Sequence, residues 1–118
     1  QAERIGYITR TLKLLAMLYD IPIFILSQLN RKIEETGREP NMSDLRDSGR
    51  IEEDSDVVIF LHPDKEDRQK VKFIVSKNRD GSIGYVELFY NARFTVFQDY
   101  EQHITEIPRV DAMSYMHD

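Results

Sequence analysis

Two basic residues at the end of a strand pattern are the clearest candidates for phosphate chemistry. Lys77 and Arg79 follow an alternating run. If that strand continues, a period of two places both cations on the face of Val71, Phe73 and Val75. A lysine and an arginine leaving one strand face can hold a phosphate, the arginine in a bidentate contact. Charges that protect a strand edge from pairing would give the same pattern, so both interpretations stay open.

A glutamine follows the most apolar segment of the chain. Gln28 comes two residues after Ile23–Leu26, which is apolar at every position, as in a strand covered on both faces. In open α/β sheets, the carboxyl ends of such strands form the edge where ligands bind. By its position alone, a solvated polar side chain is favoured over a ligand sensor.

The stretch Lys32–Arg50 is typical of a long polar loop, with one short helical turn capped by Ser43. Loops longer than ~12–15 residues inside a compact domain are often functional. The basic residues of this stretch and Arg31 are balanced by its acidic residues, so composition favours a solvated loop. The acidic run Glu52–Asp56 follows, and a solvated helix start is favoured there over a metal site.

Several regular elements must position these residues. The pattern predicts a helix over Glu3–Tyr19, ended by Pro22, with an apolar stripe that packs on a substantial surface. After Ile23–Leu26 the predicted strands are Val57–Leu61, Val71–Lys77, Tyr85–Tyr90 and Phe94–Phe97. The fold class expected is therefore α/β, with one long N-terminal helix and parallel strands continued by an antiparallel β-ribbon.

Composition limits the possible functions. The chain has 118 residues, 31% of them charged, a formal net charge of −5 and no cysteine. This allows one domain and excludes a disulfide framework. The acidic balance counts against bulk nucleic-acid binding, so DNA contact would need a local loop or several copies. No lysine follows a glycine, so the chain has no phosphate-loop motif.

Taken in order, these segments resemble the C-terminal part of the motor domain of DnaB-type replicative DNA helicases. The segments that carry the resemblance are Ile21–Arg31, Ser43–Asp56, Ser76–Gly81 and Gly84–Phe97. We assign residues 1–99 to this motor domain and 100–118 to an irregular tail. The resemblance implies a partial RecA-like P-loop NTPase fold.

The resemblance also implies an activity and a set of partners. The activity is that of a cytoplasmic, ATP- and Mg²⁺-dependent helicase. Such a helicase moves 5′ to 3′ on single-stranded DNA as a ring hexamer at the replication fork. A primase and a helicase loader are candidate partners, and no membrane is expected.

The site residues follow from the same resemblance. Gln28 matches the γ-phosphate sensor, and Lys77 and Arg79 match a basic finger that reaches the nucleotide of a neighbouring subunit. The positions that match the DNA-binding loop are Arg46, Asp47 and Gly49. Asp47 departs from the family because a glutamate is expected there, which puts its DNA contact in doubt.

We expect the chain to be part of a longer protein, with the phosphate-loop lysine, catalytic glutamate and metal-binding aspartate before Gln1. The 118 residues alone are then expected to lack ATPase activity and to self-associate through uncovered apolar surface. Two alternatives remain. One is another RecA-like ATPase, such as a recombinase or a clock ATPase, against which Ser43–Asp56 argues. The other is a non-enzymatic β-ribbon interaction module.

Overall fold

The computed structural model describes residues 2–48 and 50–100, apart from the side chains of residues 2 and 46–48. The predicted tail, from residue 101 onward, lies outside the described residues. The elements are α1 (Ala2–Tyr19), α2 (Arg31–Thr36), a 3-10 helix (Met42–Ser48), α3 (Ile51–Asp54), β1 (Val57–Pro63), β2 (Lys70–Asn78), β3 (Gly84–Asn91) and β4 (Val96–Asp99). The predicted long helix, the helix start within the acidic run and the four later strands are confirmed.

Helix α1 ends where the sequence predicts, but it packs through a different face. Asp20 has a φ of 52°, outside the helical region, and Pro22 follows two residues later. Ile8 and Leu15 of the predicted apolar stripe are exposed, so the expectation that this stripe packs is wrong within the described residues. The buried positions are Gly6 and Thr9, which contact the segment around α3.

The sheet has four strands in the order β1-β2-β3-β4, and each pair of neighbours is antiparallel. This is the predicted β-ribbon. The expected parallel strand at Ile23–Leu26 is absent from the described residues, because residues 21–30 are neither helix nor strand. Phe24 and Leu26 are 89% and 97% exposed. A strand is defined by hydrogen bonds to a neighbour, and no described strand lies beside this segment.

A β-bulge near the end of β2 changes which side chains share a face. Val58 pairs with Lys77 and Ile59 pairs with Val75, so Ser76 has no partner in β1. An extra residue reverses the alternation beyond it. Lys77 therefore lies on the opposite face from Val75, and the prediction that Lys77 and Arg79 continue the face of Val71, Phe73 and Val75 is wrong.

The core lies between the inner face of β1–β2 and the short helices that precede the sheet. Leu45, Val58 and Phe60 form its centre, packed against Leu29, Met42, Ile51 and Ile74. Strand β1 is apolar at every position from Val57 to Leu61, but only Val58 and Phe60 are buried. Its other apolar side chains, at Val57, Ile59 and Leu61, form part of an outer face that remains exposed.

The predicted long loop contains two short helices. Asn30 caps α2, because its side chain accepts a hydrogen bond of 3.1 Å from the Lys32 backbone N–H. Gly37 ends α2 with a φ of 68° and donates its N–H to the Glu34 carbonyl. The predicted helical turn is present as the 3-10 helix, but Ser43 lies inside it and is not its cap, because the Ser43 backbone N–H donates a hydrogen bond of 3.0 Å to Asn41 Oδ1. No helix of the described residues is long and apolar enough to cross a membrane.

Candidate functional site

Lys77 extends toward the helical side of the sheet. The bulge at Ser76 turns its side chain onto the inner face, where Lys77 Nζ donates a hydrogen bond of 2.5 Å to the Glu52 carbonyl of α3. This contact uses one of the three donors of the ammonium group. The lysine is thus anchored beside α3 while retaining donors for an anion.

Arg79 is fixed at the same end of the sheet, just beyond β2. Its backbone N–H donates to the Asp56 carbonyl at 2.9 Å, which continues the β1–β2 pairing by one residue. Its guanidinium Nη1 lies 2.7 Å from Asp56 Oδ1, and the two side chains are 52% and 50% exposed. Lys77 and Arg79 therefore both lie near Asp56, with the Arg79 side chain half exposed to solvent.

Asp56 joins the strand end to α1. Lys13 Nζ lies 2.6 Å from both carboxylate oxygens of Asp56. The Lys13 hydrogen bonds, with the positive fields of Arg79 and Lys77, lower the pKa of Asp56 below its ordinary value despite partial desolvation. One carboxylate thus contacts a cation from α1 and the cation just after β2.

Further polar contacts join α1 to α3 beside the Lys13–Asp56 ion pair. Thr9 Oγ1 lies 2.8 Å from Asp54 Oδ2 and 3.1 Å from the Gly6 carbonyl, so its single proton serves one of them at a time. Arg10 Nη1 lies 3.6 Å from Asp54 Oδ1. Asp54 and Asp56 of the Glu52–Asp56 run therefore both contact α1, and Asp54, with only 8% of its side chain exposed, is not solvated as the sequence predicts.

The predicted DNA-binding positions lie around the 3-10 helix. Arg46 and Asp47 are within it, but their side chains and Gly49 lie outside the described residues. The buried Leu45 anchors the helix in the core. Asp44 is held by Arg38 through hydrogen bonds of 2.9 and 2.7 Å.

The Arg38–Asp44 pair sets the electrostatics at the start of the 3-10 helix. The Asn41 backbone N–H also donates to Asp44, at 2.7 Å. The Arg38 hydrogen bonds and then this backbone contact lower the pKa of Asp44 to about 2. Asp44 is therefore ionised at neutral pH and is satisfied within the segment itself.

Gln28 lies apart from the two cations. Its side chain is exposed, and it makes no hydrogen bond or ion pair with any described residue. Its neighbour Leu29 packs against the core and so fixes the end of the segment that carries Gln28. The structure thus joins Lys77 and Arg79 through their neighbours, but shows no contact linking them to Gln28.

The residues present fit part of a nucleotide site. Lys77 and Arg79 have donors suited to phosphate oxygens. No group of three or more His, Asp or Glu side chains suited to a metal ion occurs in the described part of the chain. The sequence also lacks a phosphate loop. These residues fit contact with an ATP phosphate and do not fit a complete site for ATP with Mg²⁺.

Sequence reasoning missed Asp56 and Lys13 as neighbours of the candidate finger. Asp56 was recognised only as part of an acidic run, and Lys13 was not identified as a candidate. The available signal was the position of Asp56 immediately before β1, where antiparallel pairing brings it beside the end of β2.

Comparisons with known proteins agree with the resemblance. The model of the DnaB-like helicase C-terminal domain family matches residues 1–99. The chain is 47% identical over 95 residues to the replicative DNA helicase DnaB of Treponema pallidum, covering 80% of this chain and 21% of that protein. It is 35% identical over 111 residues to DnaB of Geobacillus stearothermophilus, covering 88% and 24%. The chain thus spans less than a quarter of either curated relative.

Two solved structures have a similar fold. The ATPase domain of G40P matches with a TM-score of 0.75 and 36% identity, over 83% of this chain and 37% of that one. A DnaB-like replicative helicase studied for its interactions with primase matches with a TM-score of 0.76 and 35% identity, over 83% and 25%. The described helix and antiparallel sheet are therefore part of the ATPase-domain fold of these helicases, which confirms the predicted fold class.

Proposed function

The chain belongs to the DnaB-like helicase C-terminal domain family, and from that membership we propose that it serves as the C-terminal part of a replicative helicase motor. The whole protein would use ATP with Mg²⁺ to unwind DNA in the cytoplasm, moving 5′ to 3′ as a ring hexamer. Within such a ring, Lys77 and Arg79 would reach the nucleotide of a neighbouring subunit. Gln28 would sense its γ-phosphate.

The paired cations at the end of β2 carry this proposal. The bulge at Ser76 places Lys77 on the inner face, and the Arg79–Asp56 contacts place Arg79 beside it. Arg79 is half exposed, as a residue that contacts a second subunit needs to be. A cation brought to the transferring phosphoryl group stabilises charge that develops in the transition state.

The DNA contact is proposed for Arg46, Asp47 and Gly49. The buried Leu45 supports this role because it attaches the preceding part of the segment to the core, and the Arg38–Asp44 pair fixes the conformation of the segment locally. A glycine lets backbone N–H groups approach phosphates closely. In a ring, only the residues that line the channel need to meet DNA, so the net charge of −5 is compatible with this role.

The partners are proposed on the same basis. We expect single-stranded DNA and identical subunits to bind, and primase and a helicase loader to dock on the assembled protein. The similar DnaB-like replicative helicase of known structure interacts with primase, which supports that partner. The 118 residues contain no phosphate loop, so we expect them to show no ATPase activity by themselves.

A chimeric helicase tests the proposal. Residues 1–99 would replace the matching segment of the Treponema pallidum relative, and ATP turnover would be measured with and without single-stranded DNA. We expect Arg79→Ala to lower turnover about 10³-fold, the range typical of arginine fingers. Arg68→Ala removes an exposed arginine from the turn between β1 and β2 and is expected to leave turnover unchanged.

Two outcomes would favour the alternatives. Full turnover in the Arg79→Ala chimera would reject the finger role, and a parent chimera without turnover would favour a non-enzymatic β-ribbon module. Filaments in place of closed rings, seen by electron microscopy of an active chimera, would favour a recombinase-type ATPase.

A further inference from the structure

We propose that Asp56 is a positioning residue for the Arg79 finger, with Lys13 of α1 as the support that holds Asp56 in place. This inference rests on the proposed role of Arg79 and deepens it. It identifies a route by which α1 acts on the nucleotide site of a neighbouring subunit.

The contacts of Arg79 orient its side chain but leave some of its N–H donors unused. The backbone N–H of Arg79 is tied to the Asp56 carbonyl, and its Nη1 lies 2.7 Å from Asp56 Oδ1. A guanidinium has five N–H donors, and the 2.7 Å contact with the carboxylate is made through Nη1. The ion pairs and hydrogen bonds of the described residues give the Arg79 side chain no second partner. The remaining donors are available to phosphate oxygens.

Lys13 keeps Asp56 in place from the opposite side. Its ammonium lies 2.6 Å from each oxygen of the carboxylate, whereas the 2.7 Å contact of Arg79 is to Oδ1. Only 17% of the Lys13 side chain is exposed, so its ammonium is restricted by packing. When Arg79 moves toward a phosphate, Lys13 continues to neutralise Asp56. The Asp56 carboxylate therefore orients the Arg79 side chain without competing strongly with a phosphate for it.

The neighbouring acid Asp54 shows that the contact is specific. Asp54 also binds α1, through Thr9 and Arg10, but it has no contact with Arg79. The two acids lie two residues apart in one segment and differ in whether they touch the finger. Asp54 is therefore a control for loss of a carboxylate that contacts α1.

The test uses the same chimeric helicase with single-stranded DNA. We expect Asp56→Asn to lower kcat about tenfold, the scale of a misplaced catalytic group, with KM for ATP changed less than about twofold. Asp54→Asn is expected to leave kcat within about twofold of the parent. Because Asp56 acts through Arg79, Asp56→Asn is expected to have no further effect in the Arg79→Ala background.

The possible outcomes distinguish a failure of this inference from a failure of the proposed finger role. An unchanged kcat in Asp56→Asn, with turnover lost in Arg79→Ala, would overturn the positioning role and leave the finger standing. Full turnover in Arg79→Ala would overturn both. An added loss in the double variant would also overturn the inference, since Asp56 would then act elsewhere.

A second variant keeps the test decisive if Asp56→Asn fails to fold. Lys13→Met removes the support from Asp56 and retains a good helix former in α1. We expect a drop in kcat of about threefold with KM unchanged, again absent in the Arg79→Ala background. An unchanged kcat in a folded Lys13→Met protein would overturn the inference.

Discussion

Two carboxylates of this chain hold arginines in different ways. Asp44 receives two hydrogen bonds from Arg38 and one from the backbone, and only 7% of its side chain is exposed. Asp56 forms an ion pair with Arg79 at 2.7 Å, and the side chains of both residues are half exposed. The first arrangement fixes the chain locally, whereas the second leaves its arginine able to act on something else.

The Asp44 pair gives a prediction about its titration. With Arg38 in place we expect the pKa of Asp44 to be about 2, measured from its carboxyl carbon by NMR. Arg38→Ala is expected to raise that pKa toward 3.8, although the Asn41 N–H retains part of the shift. Because the folded-state pKa lies below the unfolded value, the pair stabilises the fold above about pH 4. That stabilisation is lost as pH falls toward 2.

Arg31→Ala is the matched control for this titration, because Arg31 is exposed and makes no contact with Asp44. It is expected to leave the pKa of Asp44 unchanged. An equal rise in both variants would show that general charge, and not the hydrogen-bonded pair, sets the value.

The two candidate phosphate-binding cations were easier to identify from the sequence than the residue that contacts Arg79. Residue type and spacing made Lys77 and Arg79 candidates for phosphate binding but left protection of a strand edge equally open, and their finger role came from the family resemblance. Asp56 could not be paired with Arg79 without the β1–β2 register, which depends on a single extra residue at Ser76. A strand pattern with period two carries no sign of such a bulge.

Among the elements, α2 shows how capping residues create order inside a polar stretch. Asn30 satisfies a backbone N–H at its start, and Gly37 adopts a left-handed conformation at its end. Composition alone predicted a loop over Lys32–Arg50, because that prediction used the polarity of the stretch and not the spacing of Asn30 and Gly37. The caps were the signal that could have located this helix.

Gly37 gives a prediction at this scale. A side chain there is strained at a φ of 68°, and a new Cβ would also meet the Lys65 side chain at 3.4 Å. We expect Gly37→Ala to lower the free energy of unfolding by about 1 kcal/mol. The change would be measured by denaturant unfolding of the chimeric helicase, together with a loss of helicity in α2.

Gly84→Ala is the control for Gly37, because a Cβ at Gly84 has no atom within 4 Å and its φ is not in the left-handed region. It is expected to change stability by less than about 0.5 kcal/mol. Equal effects of the two alanines would mean that the left-handed cap is not the cause.

The availability of a pairing partner explains why the strand predicted at Ile23–Leu26 does not form. Helix α1 and strands β1–β4 were predictable because their patterns are satisfied by local hydrogen bonds or by the next strand in sequence. Ile23–Leu26 has the apolar pattern of a buried strand, but no described strand pairs with it. Pattern predicts the tendency to form a strand, whereas pairing also needs a neighbour.

At the scale of the whole molecule, apolar side chains are exposed in three parts of the described residues. These parts include Met17 and Leu18 of α1, the segment with Phe24 and Leu26, and the outer face of the sheet. Contiguous exposed patches of this kind are rare on monomeric proteins and promote association. The described core, centred on three side chains, is small beside this surface.

This surface predicts self-association of the 118-residue chain. Light scattering after gel filtration is expected to give a mass above 13.9 kDa that rises with concentration. Phe24→Ser with Leu26→Ser removes two of the most exposed apolar side chains and is expected to lower that mass. Ile83→Ser, at an exposed turn 69% accessible to solvent, is the matched control and should leave it unchanged. A concentration-independent monomer would contradict the prediction, because it would mean that these apolar side chains are covered within one chain.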